Sequence, residues 1–378
     1  MITGKVSFQN QDTDIDQQDK EMYSDFINHS PDSSYFSRYE YLELIAAITG
    51  GKIVIFFAMQ DDNEVIGVLP AIVKNGKWGA VVNSLPFYGS NPGIVVKKEN
   101  NWSIGAFREV KKFLLDAFWQ TPGFFSATLI EPPFEKDGDL YDQHSATFMD
   151  HRTGLITFLP SSQSEILDLY HSKTRNLVRK AEKAGVKVIS NHLLPEVKSD
   201  LISIIEMIHV ENMQAIGAPD KPGKFFDWIE QKYRAGDQAI KIYTGIHKKE
   251  IIAGLIVLVH NQTAEYFMPI IKTQYRNLAP LNIVIYHAMK ELVAQGITKW
   301  NWGGTKLPGQ EGVYHFKKRF GASECIYRYF IRTSSKITGG SYTRQAILEE
   351  YPYFYIVPFD ALPQVIRTPG NFYEEAAE

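Results

Sequence analysis

The stretch ITKWNWGGTKLPGQEGVYHFKKRFGA, residues Ile297 to Ala322, decides how this chain is interpreted. The alternation within Ile297–Trp302 predicts a short strand that ends at Gly303 and Gly304, where a backbone without Cβ atoms can turn sharply or approach a ligand. The loop that follows leads into a predicted helix with three aromatic anchors and three successive cations: Tyr314, Phe316 and Phe320, then Lys317, Lys318 and Arg319. A solvated basic helix end is the simpler alternative, because runs of charge usually face water.

The elements before this stretch follow an order that occurs twice in the chain. Three strands in a meander, a helix and a further strand are predicted in each half. They are Lys52–Met59, Val65–Val73, Trp78–Leu85, Ser103–Gln120 and Phe124–Glu131 in the first half, and Ile240–His247, Ile251–Val259, Ala264–Ile271, Pro280–Gln295 and Ile297–Trp302 in the second. We therefore predict an α/β fold with two related modules, residues 1–150 and 151–330, and an aromatic tail, residues 331–378, packed on the first.

Length and composition describe an ordinary globular protein. With 378 residues the chain exceeds the size at which one hydrophobic core keeps growing, which favours two domains. Hydrophobic residues make up 44% and charged residues 22% of the chain, and the formal net charge is −3. An overall acidic balance argues against a general DNA-binding protein, so any nucleic-acid partner must be met by a local basic patch.

The chain carries no predicted export signal or membrane span. Its first residues lack an apolar core segment, and the longest apolar run, Ile251–Val259, is too short to cross a bilayer as a helix. The single cysteine, Cys325, excludes an internal disulfide framework. These features predict a cytoplasmic protein, and the aromatic segment Tyr351–Phe359 leaves peripheral membrane contact open.

A basic helix is predicted over Ile166–Ala184, after a capping box at Ser162–Glu165. Three cations recur on one face and three apolar residues on the other: Arg175, Arg179 and Lys183 against Leu177, Ala181 and Ala184, with Lys173 near the start. Like charges at this spacing destabilise an isolated helix, which an anionic ligand would reverse. The pattern favours binding of phosphate, an RNA backbone or an acidic membrane face, and a solvated face is the alternative.

Other motifs in the sequence carry weaker signals. The loop Ser84–Gly93 mixes aromatic and small polar residues and is a candidate binding loop through Tyr88, Gly89 and Asn91, with a plain connector as the alternative. No zinc spacing, phosphate-binding glycine loop or nucleophile elbow occurs, so no metal is expected. His209, His260 and His315 have acid/base chemistry, but lone histidines are more often structural and none is chosen.

The loop Gln274–Leu281 stands where an acetyltransferase would hold the pyrophosphate of CoA on the backbone amides of a helix N-terminus. It lacks the glycines of such a loop, and Pro280 has no N–H to donate. The local sequence therefore argues against CoA at this position.

Several motifs together resemble the Fem-type peptidoglycan-bridge aminoacyltransferases of the GNAT superfamily. The residues that carry the resemblance are Ile66–Pro70, Leu85–Ser90, Ser172–Ala181, Tyr275–Pro280 and His315–Ala322. It implies tandem GNAT-like modules, each with a central, mostly antiparallel sheet flanked by helices. It also implies an acyl- or aminoacyltransferase that forms an amide on an amine of a cell-envelope precursor of peptidoglycan or surface polysaccharide. The donor would be aminoacyl-tRNA or acyl-CoA, with no tightly bound cofactor.

Roles follow from the resemblance motif by motif. Lys317 is expected to be catalytic, stabilising developing oxyanion charge, because an ammonium near a carbonyl can do so. Donor-binding residues are expected to be Phe316, Tyr275, Arg276 and Lys318. Acceptor- or anion-binding residues are expected to be Lys173, Arg175, Arg179, Lys183, Tyr88, Gly89 and Asn91. The strand-end loop is expected to consist of Asn301, Trp302, Gly303 and Gly304.

Three departures from the family pattern leave alternatives open. Asn301 stands where relatives often carry Asp, the long coiled-coil arm of some relatives is missing, and the chain is not basic overall. One alternative is acetyl-CoA-dependent N-acetylation of a nucleotide-linked amino sugar. Another is a GNAT-like module without catalysis that binds an anionic ligand through the basic helix.

Overall fold

The computed structural model describes residues 2–9, 14–60, 64–87, 92–98, 102–121, 123–132, 146–193, 200–218, 220–335, 337 and 342–361. Within these ranges the chain forms two compact units. The first contains the residues up to Arg152 together with those from Ile326 onward, and the second is Thr153–Cys325.

The strands are β1 (Thr3–Phe8), β2 (Lys52–Gln60), β3 (Glu64–Gly76), β4 (Gly79–Asn83), β5 (Val95–Val96), β6 (Phe124–Ile130), β7 (Phe148–Phe158), β8 (Lys187–Ser190), β9 (Ile240–His247), β10 (Glu250–His260), β11 (Thr263–Ile271), β12 (Lys299–Thr305) and β13 (Ser323–Thr333).

The α-helices are α1 (Gln17–His29), α2 (Tyr39–Thr49), α3 (Ile104–Trp119), α4 (Ile166–Leu169), α5 (Ser172–Lys183), α6 (Leu201–Ile216), α7 (Gly223–Arg234), α8 (Pro280–Ala294), α9 (Glu311–Lys318) and α10 (Arg344–Glu350). Short 3₁₀ turns span Tyr35–Ser37, Gln163–Glu165, Asn191–Leu193, Thr273–Leu278 and Phe359–Ala361.

The first unit is a mixed sheet with the strand order β1-β2-β3-β4-β6-β13 and β5 beside β3. β4 and β6 are parallel, and the other neighbours pair antiparallel. Helix α3 begins at Ser103, whose hydroxyl accepts the N–H of Ala106, and it packs across β2 and β3. Its face of Val110, Leu114 and Phe118 is fully buried in the core, so amphipathic spacing fixes how this helix sits on its sheet.

The second unit repeats this arrangement. Its strands follow the order β7-β12-β11-β10-β9-β8, β11 and β12 are parallel, and the remaining pairs are antiparallel. Helix α8 packs across β9, β10 and β11 and against α5, burying a broad apolar face. Helix α6 packs against β11, and α7 against α6 and β9. The predicted class, α/β with mostly antiparallel mixed sheets flanked by helices, is confirmed.

One prediction is wrong because the helix is interrupted. The segment predicted as one helix over Ile166–Ala184 is two helices, α4 and α5, with Tyr170 extended between them. The Tyr170 ring is buried edge-on against Phe320 at 4.9 Å, and the N–H of His171 donates to the Arg319 carbonyl. The His171 ring then accepts the N–H of Lys173 and caps α5. Tertiary contacts thus override a local pattern that was periodic throughout.

The predicted end of the key strand is also wrong. Gly303 and Gly304 do not terminate it, because β12 continues to Thr305. After an irregularity in register, Gly304 pairs with Gly154 and Thr305 with Thr153 of β7. Asn301, Trp302, Gly303 and Gly304 are therefore strand residues, held by a neighbouring strand that the sequence pattern could not identify.

Across the described residues, no helix combines the length and the apolar character needed to cross a bilayer.

Candidate functional site

The two parallel strands of the second unit separate after a short ladder. β11 and β12 pair from Thr263 with Lys299 to Glu265 with Asn301, and within the described chain their register ends there. Beyond this point β11 contains a bulge toward β10 at Phe267, and the pairing of β12 with β7 is irregular between Asn301 and Gly304. Strands that part in this way leave side chains and backbone polar groups facing an opening, which is a common place for a ligand in an α/β sheet.

Glu265 lies at the point where the strands separate. Only 3% of the residue is exposed, and its Oε1 atom has no hydrogen-bond partner among the described residues. Burial raises the pKa of its carboxyl from 4.5 to about 8, and a hydrogen bond from Asn301 lowers it by less. Perturbed carboxyls of this kind occur preferentially at functional sites. Sequence reasoning missed Glu265, although an acidic residue inside the apolar strand pattern of β11 was a visible signal.

Asn301 is 1% exposed and faces Glu265 from the neighbouring strand. Its Oδ1 accepts the N–H of Gly303 at 3.0 Å, which fixes the orientation of the amide. Gly303 has a φ of 74°, a conformation that glycine adopts without strain. The positive φ of Gly303 therefore goes together with a local turn in which its N–H donates to the Asn301 side chain.

Lys317 is buried despite its charge. The residue is 7% exposed, and its ammonium donates to the carbonyl of Gly304 and to the hydroxyl of Thr305, each at 3.1 Å. Helix α9 thus returns its lysine to the end of β12, so the predicted catalytic residue lies on the same strand–helix element as Asn301. Its ammonium donates to these neutral oxygen atoms, which position it at the end of β12.

Phe316 is half-buried and packs on the core below α9. Its ring lies edge-on to Trp302 at 6.5 Å and to Phe320 at 5.2 Å. Trp302 donates its ring N–H to the hydroxyl of Thr157. Of the Phe316–Lys317 pair, the aromatic ring therefore anchors α9 on the core, and the lysine side chain donates to β12.

The other predicted donor-binding residues lie at two separate places in the second unit. Tyr275 is in the turn before α8 and donates its hydroxyl to Glu250 at 2.6 Å, while Arg276 is exposed beside it. Lys318 is near the end of α9 and forms an ion pair with Glu324 at 2.9 Å. Of these, Arg276 remains the cation that is most accessible to an anionic donor.

The basic helix α5 exposes a different set of cations from the predicted one. Its buried residues are Thr174, Val178 and Ala181, so the inner face is shifted from the predicted one. Arg175 is half-buried and donates to the carbonyl of Tyr170 at 2.6 Å, which holds the break before the helix. The cations that are exposed on α5 are Lys173, Arg179, Lys180 and Lys183.

Helix α5 also packs against the turn Thr273–Leu278, which places the helix in the same neighbourhood as Arg276. The structure thus brings the anion-binding candidates of two motifs into one region of the second unit. Tyr88, Gly89 and Asn91 lie outside the described residues.

The loop before α8 does not fit a pyrophosphate held on backbone amides. Ala279 has a φ of 54°, and its N–H donates to the carbonyl of Arg276. Pro280 carries no N–H, and the N–H of Asn282 donates to the carbonyl of Ala279. Three of the four positions from 279 to 282 therefore have no N–H left to donate to a phosphate, and this loop does not fit the pyrophosphate of CoA.

The remaining titratable candidates do not converge on the opening between β11 and β12. His209 is 4% exposed on α6, where its Nε2 accepts the N–H of Lys221 and burial lowers its pKa to about 3. His260 is buried at the end of β10, and His315 is exposed on α9. Among the described residues, no group of three His, Cys, Asp or Glu side chains is placed to hold a metal ion.

Comparison with known proteins identifies the fold. Residues 171–318, from α5 to α9, match the model of the acetyltransferase (GNAT) domain. The structure of FemX superposes with a TM-score of 0.63 at 15% identity, covering 82% of this chain and 95% of that chain. The chain has the fold of the Fem-type proteins. The predicted resemblance is thereby confirmed, and the match contains the whole opening between β11 and β12 together with Lys317.

Two further structures share this fold. The C-terminal DUF2156 domain of a protein named as a lysylphosphatidylglycerol synthetase from Agrobacterium fabrum has a TM-score of 0.56 at 10% identity, covering 90% of this chain and 99% of that chain. L-PGS from Bacillus licheniformis has a TM-score of 0.52 at 11% identity, with 88% and 96% covered. Among curated proteins, none matches this sequence. At the general level, the match of residues 171–318 to the acetyltransferase (GNAT) domain supports a transferase.

Proposed function

We propose that this Fem-like chain transfers an acyl or aminoacyl group from a carrier to an amine of a cell-envelope precursor, with the reaction at the opening between β11 and β12. The observation that carries the proposal is the position of Lys317, whose buried ammonium is fixed at Gly304 and Thr305 where β12 leaves its ladder. A fixed positive charge beside an opening between strands suits a carbonyl oxygen that becomes negative in the transition state.

The reaction forms a C–N bond and breaks the C–O or C–S bond that joins the acyl group to its carrier. Lys317 stabilises the negative charge on the carbonyl oxygen, and its two hydrogen bonds to β12 keep the ammonium in place without reorganisation. The exposed cations of α5 and Arg276 bind the anionic part of the donor or acceptor.

The nature of the donor divides two versions of this function. The blocked amides at Ala279, Pro280 and Asn282 support a carrier other than CoA, for which aminoacyl-tRNA is the candidate. The match to an acetyltransferase domain supports acetyl-CoA and an amino-sugar acceptor. The acceptor in the first version is a peptidoglycan or surface-polysaccharide precursor, consistent with the fold shared with FemX.

The test is Lys317→Gln, which removes the charge and keeps hydrogen-bond donors for Gly304 and Thr305. We expect kcat to fall by about 10² or more with an unchanged circular dichroism spectrum. The matched control is Lys112→Gln on the exposed face of α3, which should keep full activity. Wild-type turnover of the Lys317→Gln variant would contradict the proposed role.

The two donors are compared by thermal shift on the wild-type chain. Acetyl-CoA and an aminoacylated RNA minihelix are each added at increasing concentration, because a ligand that binds only the folded state raises Tm. A rise with the RNA alone supports the carrier version, and a rise with acetyl-CoA alone supports acetylation. A rise with neither, together with no transfer by the wild-type chain, would contradict an acyltransferase function.

A further inference from the structure

The parallel ladder of the first unit ends in a group of buried polar side chains. β4 and β6 finish their pairing at Asn83 and Thr128, and Ser126 lies two residues earlier on the same face of β6. All three residues are 0% exposed, whereas Val82 and Ala127 belong to the apolar core cluster on the face that α3 covers. Polar groups at such a place need hydrogen-bond partners, because burying them without any is costly.

The partner of these side chains is the backbone of the C-terminal segment, residues 351–359. The amide of Asn83 donates to the carbonyl of Tyr355 at 2.9 Å, and its Oδ1 accepts the N–H of the same residue at 2.8 Å. The hydroxyls of Thr128 and Ser126 donate to the carbonyls of Tyr355 and Ile356. Residues 354–358 lie in neither a helix nor a strand. The segment is therefore held by side chains that bind its backbone, as an extended peptide is held by a receptor.

The side chain of Tyr355 is bound as specifically as its backbone. Its hydroxyl donates to Oδ2 of Asp150 at 2.7 Å, and its ring lies against Tyr329 at 4.9 Å. Asp150 also pairs with Arg152 at 2.7 Å, so a charged carboxylate binds the phenol. Ile356, which follows, is 1% exposed. We name the set of side chains that contact the segment the first-unit groove: Asn83, Ser126, Thr128, Asp150 and Tyr329.

Backbone strain marks the place where the C-terminal segment enters the groove. Tyr353 and Phe87 have φ values of 71° and 72°, which aromatic residues rarely adopt. The N–H of Phe87 donates to the carbonyl of Tyr353 at 2.9 Å, and the two rings meet edge-on at 4.8 Å. Strain on both sides of one contact opposes docking of the segment. Release of the segment therefore costs less free energy than unfolding of the strands on which it lies.

We propose that the first-unit groove is a peptide-binding site, that the C-terminal segment is its intramolecular ligand, and that an extended peptide with a tyrosine followed by an aliphatic residue can replace it. This inference goes beyond the proposed function, since the groove lies within the first unit and involves no transfer step. A tethered ligand has an effective concentration of the order of millimolar. The segment thus keeps the groove closed until it is weakened or a peptide outcompetes it.

The first experiment uses the full chain with Tyr355→Pro, which removes from the segment both the N–H that Asn83 binds and the aromatic ring. The probe is a fluorescein-labelled peptide of residues 351–360, and its binding is followed by fluorescence anisotropy. We expect the Kd of the probe to be at least about 10-fold lower for Tyr355→Pro than for wild type, whose own segment competes. The probe should also raise the Tm of Tyr355→Pro and leave that of wild type nearly unchanged.

A second substitution tests whether the probe lies in the first-unit groove. Asn83→Leu, added to Tyr355→Pro, removes both hydrogen bonds to the peptide backbone and should raise the Kd of the probe by about 10-fold or more. The matched control is Asn75→Leu near the end of β3, where the side chain is exposed. Added to the same variant, it should leave the Kd unchanged.

Two altered probes separate recognition of the backbone from recognition of the side chain. N-methylation of the Tyr355 amide removes the donor to Asn83, and Tyr355→Phe in the probe removes the hydroxyl that Asp150 accepts. Each change should weaken binding by about 10-fold. A probe of scrambled sequence that binds as tightly as the native one would overturn the inference.

Hydrogen exchange of the wild-type chain gives a test that needs no variant. Amides of residues 353–357 should exchange at least about 10²-fold faster than those of β4 and β6, because the segment leaves the groove while the sheet stays folded. Equal rates would show a segment that opens only on global unfolding and would overturn the inference. A Tyr355→Pro variant with a native circular dichroism spectrum that binds no probe would overturn it too. If this variant does not fold, the exchange rates decide.

Discussion

The two units end their parallel ladders in opposite ways. In the first unit β4 and β6 pair up to Asn83 and Thr128, and in the second β11 and β12 pair up to Glu265 and Asn301. All four residues are almost fully buried and polar. The topology is the same, but the partners of these side chains differ.

In the first unit, the C-terminal segment of the chain binds the ladder end. Asn83 donates its amide to the carbonyl of Tyr355 and accepts the N–H of the same residue, at 2.9 and 2.8 Å. The hydroxyl of Thr128 donates to the Tyr355 carbonyl, and that of Ser126 donates to the carbonyl of Ile356. The polar groups are satisfied by backbone, as those of a structural core must be.

In the second unit, the ladder end contains Glu265, whose carboxyl has a raised pKa and one oxygen atom with no hydrogen-bond partner in the described part of the chain. The same position of one fold can therefore bind a segment of the chain's own backbone or hold a buried carboxyl of raised pKa. What differs is whether a segment of the chain supplies hydrogen bonds there.

The largest effect is expected for Glu265→Gln, which should change the free energy of unfolding and so sharpen the comparison of the two ladder ends. The folded-state pKa is raised from 4.5 to about 8, so the native state binds more protons and wild type loses stability as pH rises between these values. The Gln variant lacks this loss and should be more stable by about 3 kcal/mol at pH 7, with the difference vanishing near pH 4. Urea unfolding at several pH values measures it, and a difference independent of pH would contradict the assignment.

The matching substitution in the first unit is Asn83→Leu. It should lower the stability of the protein, whereas Glu265→Gln should raise it. Removing both hydrogen bonds leaves the N–H of Tyr355 buried without a partner, and stability should fall by roughly 2 kcal/mol at every pH. Urea unfolding with hydrogen exchange of the β4 and β6 peptides localises the loss. Asn176→Ala on the exposed side of α5 is the control and should change little. An Asn83→Leu variant as stable as wild type would remove the basis for calling this ladder end structural.

A smaller effect is expected where the second unit packs the segment after α9 against α4. Gly321 has a φ of 77°, and a Cβ there would lie 2.8 Å from the carbonyl oxygen of Leu169. Gly185 has a φ of 78° with open space around it. Both Gly→Ala variants carry the backbone strain of about 1 kcal/mol, and Gly321→Ala should cost roughly another 1 kcal/mol for the close approach. Equal values of Tm would show that the neighbouring peptide moves freely.

The smallest effect separates the two arginines of α5. Arg175→Gln removes a hydrogen bond to the Tyr170 carbonyl and should cost about 1 kcal/mol of stability, whereas Arg179→Gln should stay within about 0.5 kcal/mol. Binding of the RNA minihelix should show the reverse order, with Arg179→Gln lowering its salt dependence. If Arg179→Gln lowered stability and left RNA binding unchanged, the basic face of α5 would be a solvated or structural surface and not a binding surface.

Much of the fold could be predicted because the signals are local. Turn residues and apolar alternation placed β9 at Ile240–His247 as observed, and the helix over Pro280–Gln295 matches α8 to one residue. The duplicated order of elements followed from the same patterns. Continuity failed at Tyr170, where contacts with distant Phe320 and Arg319 break a periodic helix. Local periodicity carries no information about such contacts.

The candidate site was predicted only in part. Lys317 and Phe316 were selected by motif. Both lie on α9, where the Lys317 ammonium donates to Gly304 of β12 and the Phe316 ring packs on Trp302 in the core. Their roles stay predictions, as do the roles of the donor- and anion-binding residues. Glu265 was missed because its importance depends on being paired with Asn301 and buried, and both depend on the register of two parallel strands joined by a helix.

By itself, the sequence determined the class of the fold, the repeated order of its elements and the family resemblance, because periodicity, turn residues and short motifs act over a few neighbouring positions. Only the tertiary structure decided which polar groups lie at the two ladder ends, which of them the C-terminal segment satisfies, and which carboxyl oxygen has no hydrogen-bond partner within the described ranges. The physical reason is that burial and hydrogen bonding are set by residues far apart in the chain, and these determine the pKa and reactivity of a side chain.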